Sequence, residues 1–156
     1  MTTQQPNEPT IADRIPLSRI MSRDVVCARP DLDATAVVSL MVKHHIGCIP
    51  VVDQRRRPIG VITKFDLVEQ VEERGGLRAR TAEELMLPLA ITLGEHATVA
   101  HAAAMMTCED LHHVLVVGAS GELVGVVSSK DVVDWLVGND ELLAQPSSCG
   151  SAAAST

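Results

Sequence analysis

Gly60-Val61-Ile62-Thr63-Lys64-Phe65-Asp66 and Gly125-Val126-Val127-Ser128-Ser129-Lys130-Asp131 are one pattern written twice. A glycine leads an apolar run, the run ends in a hydroxyl residue, and a carboxylate follows three positions later. The run reads as a buried strand. The hydroxyl and its carboxylate read as a capping box that opens a helix. Each stretch therefore predicts a strand turning directly into a helix.

The two stretches lie 65 positions apart, and the register holds without a gap over about fifty residues, long enough to mark a structural repeat. Met21 meets Met86, Met41 meets Met106, and Val51-Val52 meets Val116-Val117. Apolar positions otherwise meet apolar positions, as in Ile49/Val114, Ile59/Val124 and Ile62/Val127. Two copies do not make a solenoid, so an intramolecular pseudo-twofold pair of packed lobes is expected.

Each copy reads β-α-β-β-α, an α+β (α/β) fold class. A short strand is expected at Val25 to Ala28 and at Ala90 to Leu93. An amphipathic helix follows, capped by Asp33 or a neighbour in the first copy and by Thr98 in the second. Its apolar faces are Val37, Leu40, Met41 and His44, and Val99, Ala102, Ala103 and Met106. Strands follow at Cys48–Val52 and His113–Val117, then turns, then strands at Ile59–Thr63 and Leu123–Ser128. The second helices end near Arg74-Gly75-Gly76 and Gly138-Asn139, both suited to C-caps. Thr81 to Glu84 forms a further capping box, and Pro16 to Met21 holds the matching place in the first copy. The expected division is a flexible tail at 1–14, lobes at 15–76 and 77–138, and a low-complexity, mostly disordered tail at 139–156.

Composition narrows the function. Apolar residues make up 46% of 156, enough for a core. Aromatics are 1%, Phe65 and Trp135, and the net charge is −7. Neither base stacking on aromatic platforms nor a polyanion-coating surface is expected, so no nucleic-acid partner is. No apolar stretch is long enough for a membrane helix, and the polar start lacks signal-peptide features, so a cytoplasmic location with no membrane partner is expected. Cys27, Cys48, Cys108 and Cys149 show no C-x-x-C spacing and read as reduced thiols. Residues 1–80 hold 12 of the 13 Lys and Arg residues against 10 acids, whereas residues 81–156 hold only Lys130 against 10 acids. Anion attraction would favour the first half.

The strand-to-helix junctions admit two readings. Thr63/Asp66 and Ser128/Asp131 are complete as caps, worth about 1 kcal/mol each with no ligand. The same geometry suits a ribose-phosphate. A helix start offers amides and partial positive charge to a phosphate, a hydroxyl donates to it, and a carboxylate accepts from a ribose diol. Lys64 and Lys130 add positive charge.

The two junctions, Met21-Ser22, and Ile46-Gly47-Cys48-Ile49-Pro50-Val51-Val52-Asp53 with its second-copy counterpart make the chain resemble a tandem pair of CBS domains, a Bateman module, over about residues 15–138. The resemblance implies lobes paired through their sheets, with clefts related by a pseudo-twofold. It implies a stand-alone regulatory sensor for AMP, ADP, ATP, S-adenosylmethionine or similar ligands, commonly a flat homodimer that signals to a regulated protein, with no obligatory cofactor. It assigns Asp66 and Asp131 to ribose hydroxyls, and Thr63 and Ser128 to ribose or phosphate. Val26, Cys27 and Ala28, and Ile91, Thr92 and Leu93, are assigned to the base. Two positions opening the second strand commonly carry basic residues that meet phosphates. Here they are His112 and His113 in one copy but Gly47 and Cys48 in the other. Unequal clefts are expected, the better one at His112, His113, Ser128, Lys130 and Asp131, with phosphate binding strengthened as either histidine gains a proton.

Three rivals stand beside this reading. His44, His45 and Cys48, or Cys108, His112 and His113, offer metal-ligand chemistry without a recognised zinc spacing. An enzyme would need a nucleophile elbow, a Walker lysine or a triad, none of which the sequence shows, and no catalytic residue is assigned. A purely structural dimerisation module would use the boxes only as caps.

Overall fold

The computed structural model describes residues 9–74, 76–88 and 91–138. In the first copy α1 (Ala34–His44) is capped by Asp33, whose carboxylate accepts from the Thr35 amide at 2.8 Å. Val37 and Met41 are buried beneath it. His44 is exposed rather than on the core face, because α1 stops there, where a basic group faces the helix's negative end. β1 (Cys48–Val52) and β2 (Pro58–Thr63) pair antiparallel, and α2 (Lys64–Arg74) follows without a break. Then come α3 (Ala82–Leu85), β3 (Leu87–Pro88), β4 (Thr92–Gly94), α4 (Val99–Cys108), β5 (His113–Val117), β6 (Leu123–Ser128) and α5 (Ser129–Gly138). Thr98 caps α4 through the His101 amide, and Thr81 forms its box with Glu84 at α3. Even the β-bulge recurs, at Val51/Val52 and at Val116/Val117.

Each copy is completed by a segment of the other. β3, which precedes the second copy's helix, pairs with β2 of the first copy. Ser22, 65 residues earlier, bridges Val126 of β6. The Leu17 amide donates to Ala97 O at 2.8 Å, and the equivalent Ala82 amide to Leu32 O at 2.7 Å. The cores follow the same exchange. Ala82 and Leu85 are buried with Val37, Met41, Ile49 and Ile62 of the first copy. Leu17 and Met21 are buried with Val99, Met106, Val114 and Val127 of the second. The contiguous lobes expected at 15–76 and 77–138 are thus interleaved in space, because the segments around 15–22 and 80–88 pack across. A third cluster, Val52 with Leu115 and Leu123 flanked by Val25, Cys27 and Val126, joins the two sheets.

The expected first strands differ between copies. Thr92 to Gly94 runs parallel to β5, and the next amide, Glu95, donates to Val117 O at 3.1 Å. In the first copy only Ala28 bridges β1, and Val25 to Cys27 is not strand. The residue equivalent to Glu95 is Pro30, which has no N–H to extend the ladder. Ile91 precedes β4, and residue 90 lies outside the described residues.

A turn at Ile11–Asp13, closed by the Thr10 and Asp13 side chains, lies within the expected N-terminal tail, and Ala12 packs on the second core. Gly75, Asn139 and Cys149 lie outside the described residues, as do 1–8 and the whole of 139–156. Cys27, Cys48 and Cys108 are free thiols. Burial pushes Cys48 up to about 12. Among the described residues no helix is long and apolar enough to cross a membrane.

Two glycines lock the exchange. A β-carbon on Gly125 would lie 2.5 Å from Met21 Sδ. One on Gly60 would meet the Met86 thioether and lie 2.8 Å from the Leu87 carbonyl. Gly125→Ala is expected to lower stability by about 1–3 kcal/mol as Met21 is displaced. Gly60→Ala is expected to cost more, because backbone must move. Urea denaturation of both variants checks the order.

Candidate functional site

At the second junction β6 runs straight into α5. The Ser128 amide and Oγ both donate to Asp131 Oδ2, at 2.7 and 2.6 Å, and Ser128 Oγ accepts from the Asp131 amide at 3.2 Å. The first junction repeats this. The Thr63 amide and Oγ1 donate to Asp66 Oδ2 at 2.6 and 2.7 Å, and Asp66 N donates to Thr63 Oγ1 at 3.3 Å. Each box engages Oδ2, and Oδ1 takes no part in it. Asp66 is buried, whereas Asp131 is half-buried.

The second junction opens onto a cleft of about 370 Å³ that both copies build. Ser22, Asp24, Val25 and Val26 form one wall, His45 to Cys48 and Pro50 another, and His112, His113, Val126 and Ser128 to Asp131 the rest. Of the residues singled out in the sequence, Val26, His112, His113, Ser128, Lys130 and Asp131 converge here. Val26 comes from the opposite copy, a consequence of the exchange.

The remaining candidates lie elsewhere. Cys27 packs in the inter-sheet cluster and Ala28 in the first core. Thr63, Lys64 and Asp66 belong to the twin junction. Leu93 packs on the second core and Thr92 is exposed on β4. A symmetric second cleft would run through residues 89 and 90, which lie outside the described residues. Asp24 and Val25 were not assigned to the site, since only the crossing of Ser22–Val26 onto β6 brings them to Asp131, and Ile46 and Pro50 reach it from β1 and its approach.

The electrostatics differ from the sequence expectation in two ways. The helix start is less open than supposed. Ser129 N donates to His112 O at 2.9 Å and Asp131 N to Ser128 Oγ, so of the first three amides that of Lys130 is left. Lys130 itself is turned along the exposed helix to Asp134, which holds its ammonium above the usual lysine range. The histidines are the basic side chains left to the cleft instead. His112 is exposed and His113 half-buried. Burial first, then the neighbouring His112, hold the His113 imidazole below the ordinary histidine value, with Lys64 adding to this and Asp131 opposing it. Arg56 is spent elsewhere, its Nε donating to Leu123 O at 3.2 Å and tying the two copies. Among the described residues no three His, Cys, Asp or Glu side chains gather as a metal site.

A chain repeated in this way, with twin capped junctions and an exchanged edge, is by architecture a tandem pair of like domains. The chain belongs to the CBS domain family, whose model matches residues 17–73 and again 82–138. It is 28% identical over 120 residues to an uncharacterised protein of Methanopyrus kandleri, covering 76% of this chain and 61% of that protein. It is 28% identical over 113 residues to the L-aspartate semialdehyde sulfurtransferase of Methanocaldococcus jannaschii, covering 72% of this chain but only 21% of the enzyme. A CBS domain pair solved with methylthioadenosine and S-adenosyl-L-methionine superposes with a TM-score of 0.73 at 27% identity, over 79% of this chain and 96% of that one.

The boxes have a ligand-free consequence. Ser128→Ala and Thr63→Ala are each expected to destabilise by about 1 kcal/mol, the usual worth of an N-cap hydroxyl. Denaturation midpoints without nucleotide measure this.

Proposed function

We propose that the chain is a regulatory sensor that binds an adenosine-containing ligand in the cleft between its two copies. The observation that carries this reading is the convergence of Asp131, Ser128, His112 and His113 with the apolar Val26 in one cleft of ligand size. Asp131 would accept from the ribose diol, Ser128 and the histidines would meet a phosphate, and Val26 with Ile46 would hold the base. The related CBS pair that binds methylthioadenosine and S-adenosyl-L-methionine supports the ligand class.

Ligand entry would bridge Ser22–Val26 of one copy to α5 of the other. That biases the relative populations of the arrangements the exchanged segments allow, and a regulated partner would read the shift. The occupied form is proposed to be a homodimer. α2 exposes Phe65, Val68 and Val71, and α5 exposes Val133, Leu136 and Val137. Val68/Val133 and Val71/Leu136 are repeat equivalents, so the apolar surface is itself pseudo-twofold, as a self-complementary interface requires.

Thermal denaturation with AMP, 5′-methylthioadenosine and S-adenosylmethionine tests the ligand. At 100 times its dissociation constant a ligand adds about 2.7 kcal/mol. Asp131→Ala is expected to remove the ligand-induced increment, read apart from the lost cap. No increment with any of the three would favour the structural module. Sedimentation velocity tests the dimer. Val68→Glu with Val133→Glu is expected to give monomers, and an unchanged dimer would place the interface elsewhere.

A further inference from the structure

Building on the adenosine reading of the same cleft, we infer that His113 decides which adenosine ligands it prefers: uncharged ones while the imidazole is neutral, phosphate-bearing ones once it carries a proton. His113 pairs with Ser128 across the β5–β6 ladder, which sets its side chain beside the Ser128/Asp131 box. Its ring lies against the backbone of the other copy. A β-carbon on Gly47 would be 3.1 Å from His113 Cε1 and 3.3 Å from Nε2, so any side chain at residue 47 would crowd the imidazole. The ring is thus held at the seam between copies, half-buried, where the ligand's phosphate is proposed to lie.

The charges around it are named by element. His112 lies beside it on the approach to β5, Asp131 on α5 and Lys64 on α2. Asp24, His45, Cys48 and Lys130 also line the cleft. Cys48 stays a neutral thiol and Lys130 is paired with Asp134. Burial, His112 and Lys64 together outweigh Asp131, so His113 is held below the ordinary histidine value and takes up a proton less readily than a free imidazole.

A phosphate entering beside the ring favours the imidazolium and raises its pKa, so binding takes up a proton and strengthens as pH falls. An uncharged ligand offers no such compensation. Once His113 is protonated, that ligand must further bury an unpaired cation, so its affinity holds or falls. The two ligand classes therefore respond differently to acidification. The equivalent position in the first copy is Cys48, which brings no cation, so the selectivity belongs to this cleft.

Calorimetry with the full chain tests this, using AMP and 5′-methylthioadenosine between about pH 6 and pH 8, the range around an ordinary histidine. The preference for AMP over 5′-methylthioadenosine is expected to rise about fivefold or more on acidification. AMP's own second phosphate ionisation, near about pH 6, acts equally in a variant, so His113→Gln isolates the protein's part. That variant is expected to lose most of the rise. In wild type, titrations in buffers of different ionisation enthalpy are expected to show proton uptake with AMP beyond that of the nucleotide's own phosphate and none with 5′-methylthioadenosine, a readout that does not depend on the variant folding. A preference that does not move with pH, that moves equally in His113→Gln, or that comes with equal proton uptake for both ligands overturns the inference while leaving the adenosine reading intact. Failure of both ligands to bind at every pH removes that reading and this inference with it.

Discussion

Gly60 and Gly125 leave no room for a β-carbon because a methionine from the opposite copy occupies the space. Close approach of this kind is one of the few things only glycine permits. It lets β3 reach β2, and Ser22 reach β6, closely enough to bond. From these contacts the rest follows. Leu17 and Leu85 are buried in lobes that lie far from them in sequence. The sheets gain an outer edge that would otherwise present unpaired backbone groups. The cleft acquires Val26 from one copy and Asp131 from the other. Neither copy alone could build it.

Much of this was legible because the repeat carries its own check. A hydroxyl three residues before a carboxylate is weak evidence once. The same spacing after a glycine-led apolar run, 65 residues on, is not. The hairpin strands, helix starts and both junction boxes fall where the pattern placed them, and the first strand of each copy does not. What the pattern could not carry was the exchange. Hydrophobic periodicity says that Leu17 and Leu85 are buried, but not in which copy. The expected equivalence of Val25–Ala28 with Ala90–Leu93 was also broken by prolines, since Pro50 stands where Leu115 donates to Ile91 O and so leaves Val26 without that bond. Proline at position 30 lacks the hydrogen that Glu95 uses to extend the ladder.

At the second junction the sequence overstated the free groups. A helix N-terminus is a good anion site in proportion to the amides left unsatisfied. Here His112 O takes one and Ser128 Oγ another. The box that makes the helix stable also consumes part of what a phosphate would use. Likewise Lys130 has the right position in sequence and the wrong partner in space. The basic side chains left to the cleft from that junction are His112 and His113 rather than Lys130.

The two junctions match in backbone but not in the side chains that surround them. Both have the same box, the same strand-to-helix step and the same carbonyl accepting from the first helical amide, Gly47 O for Lys64 and His112 O for Ser129. They differ in the side chains that open the preceding strand. One offers Gly47 and Cys48, the other His112 and His113. These positions are coupled, because a β-carbon at Gly47 would crowd the His113 ring. The first copy has no cationic side chain at that seam, and the second copy's imidazole lies against it. The difference between the two junctions is therefore a single packing arrangement shared by both copies, and a basic side chain at position 47 would crowd the one at 113.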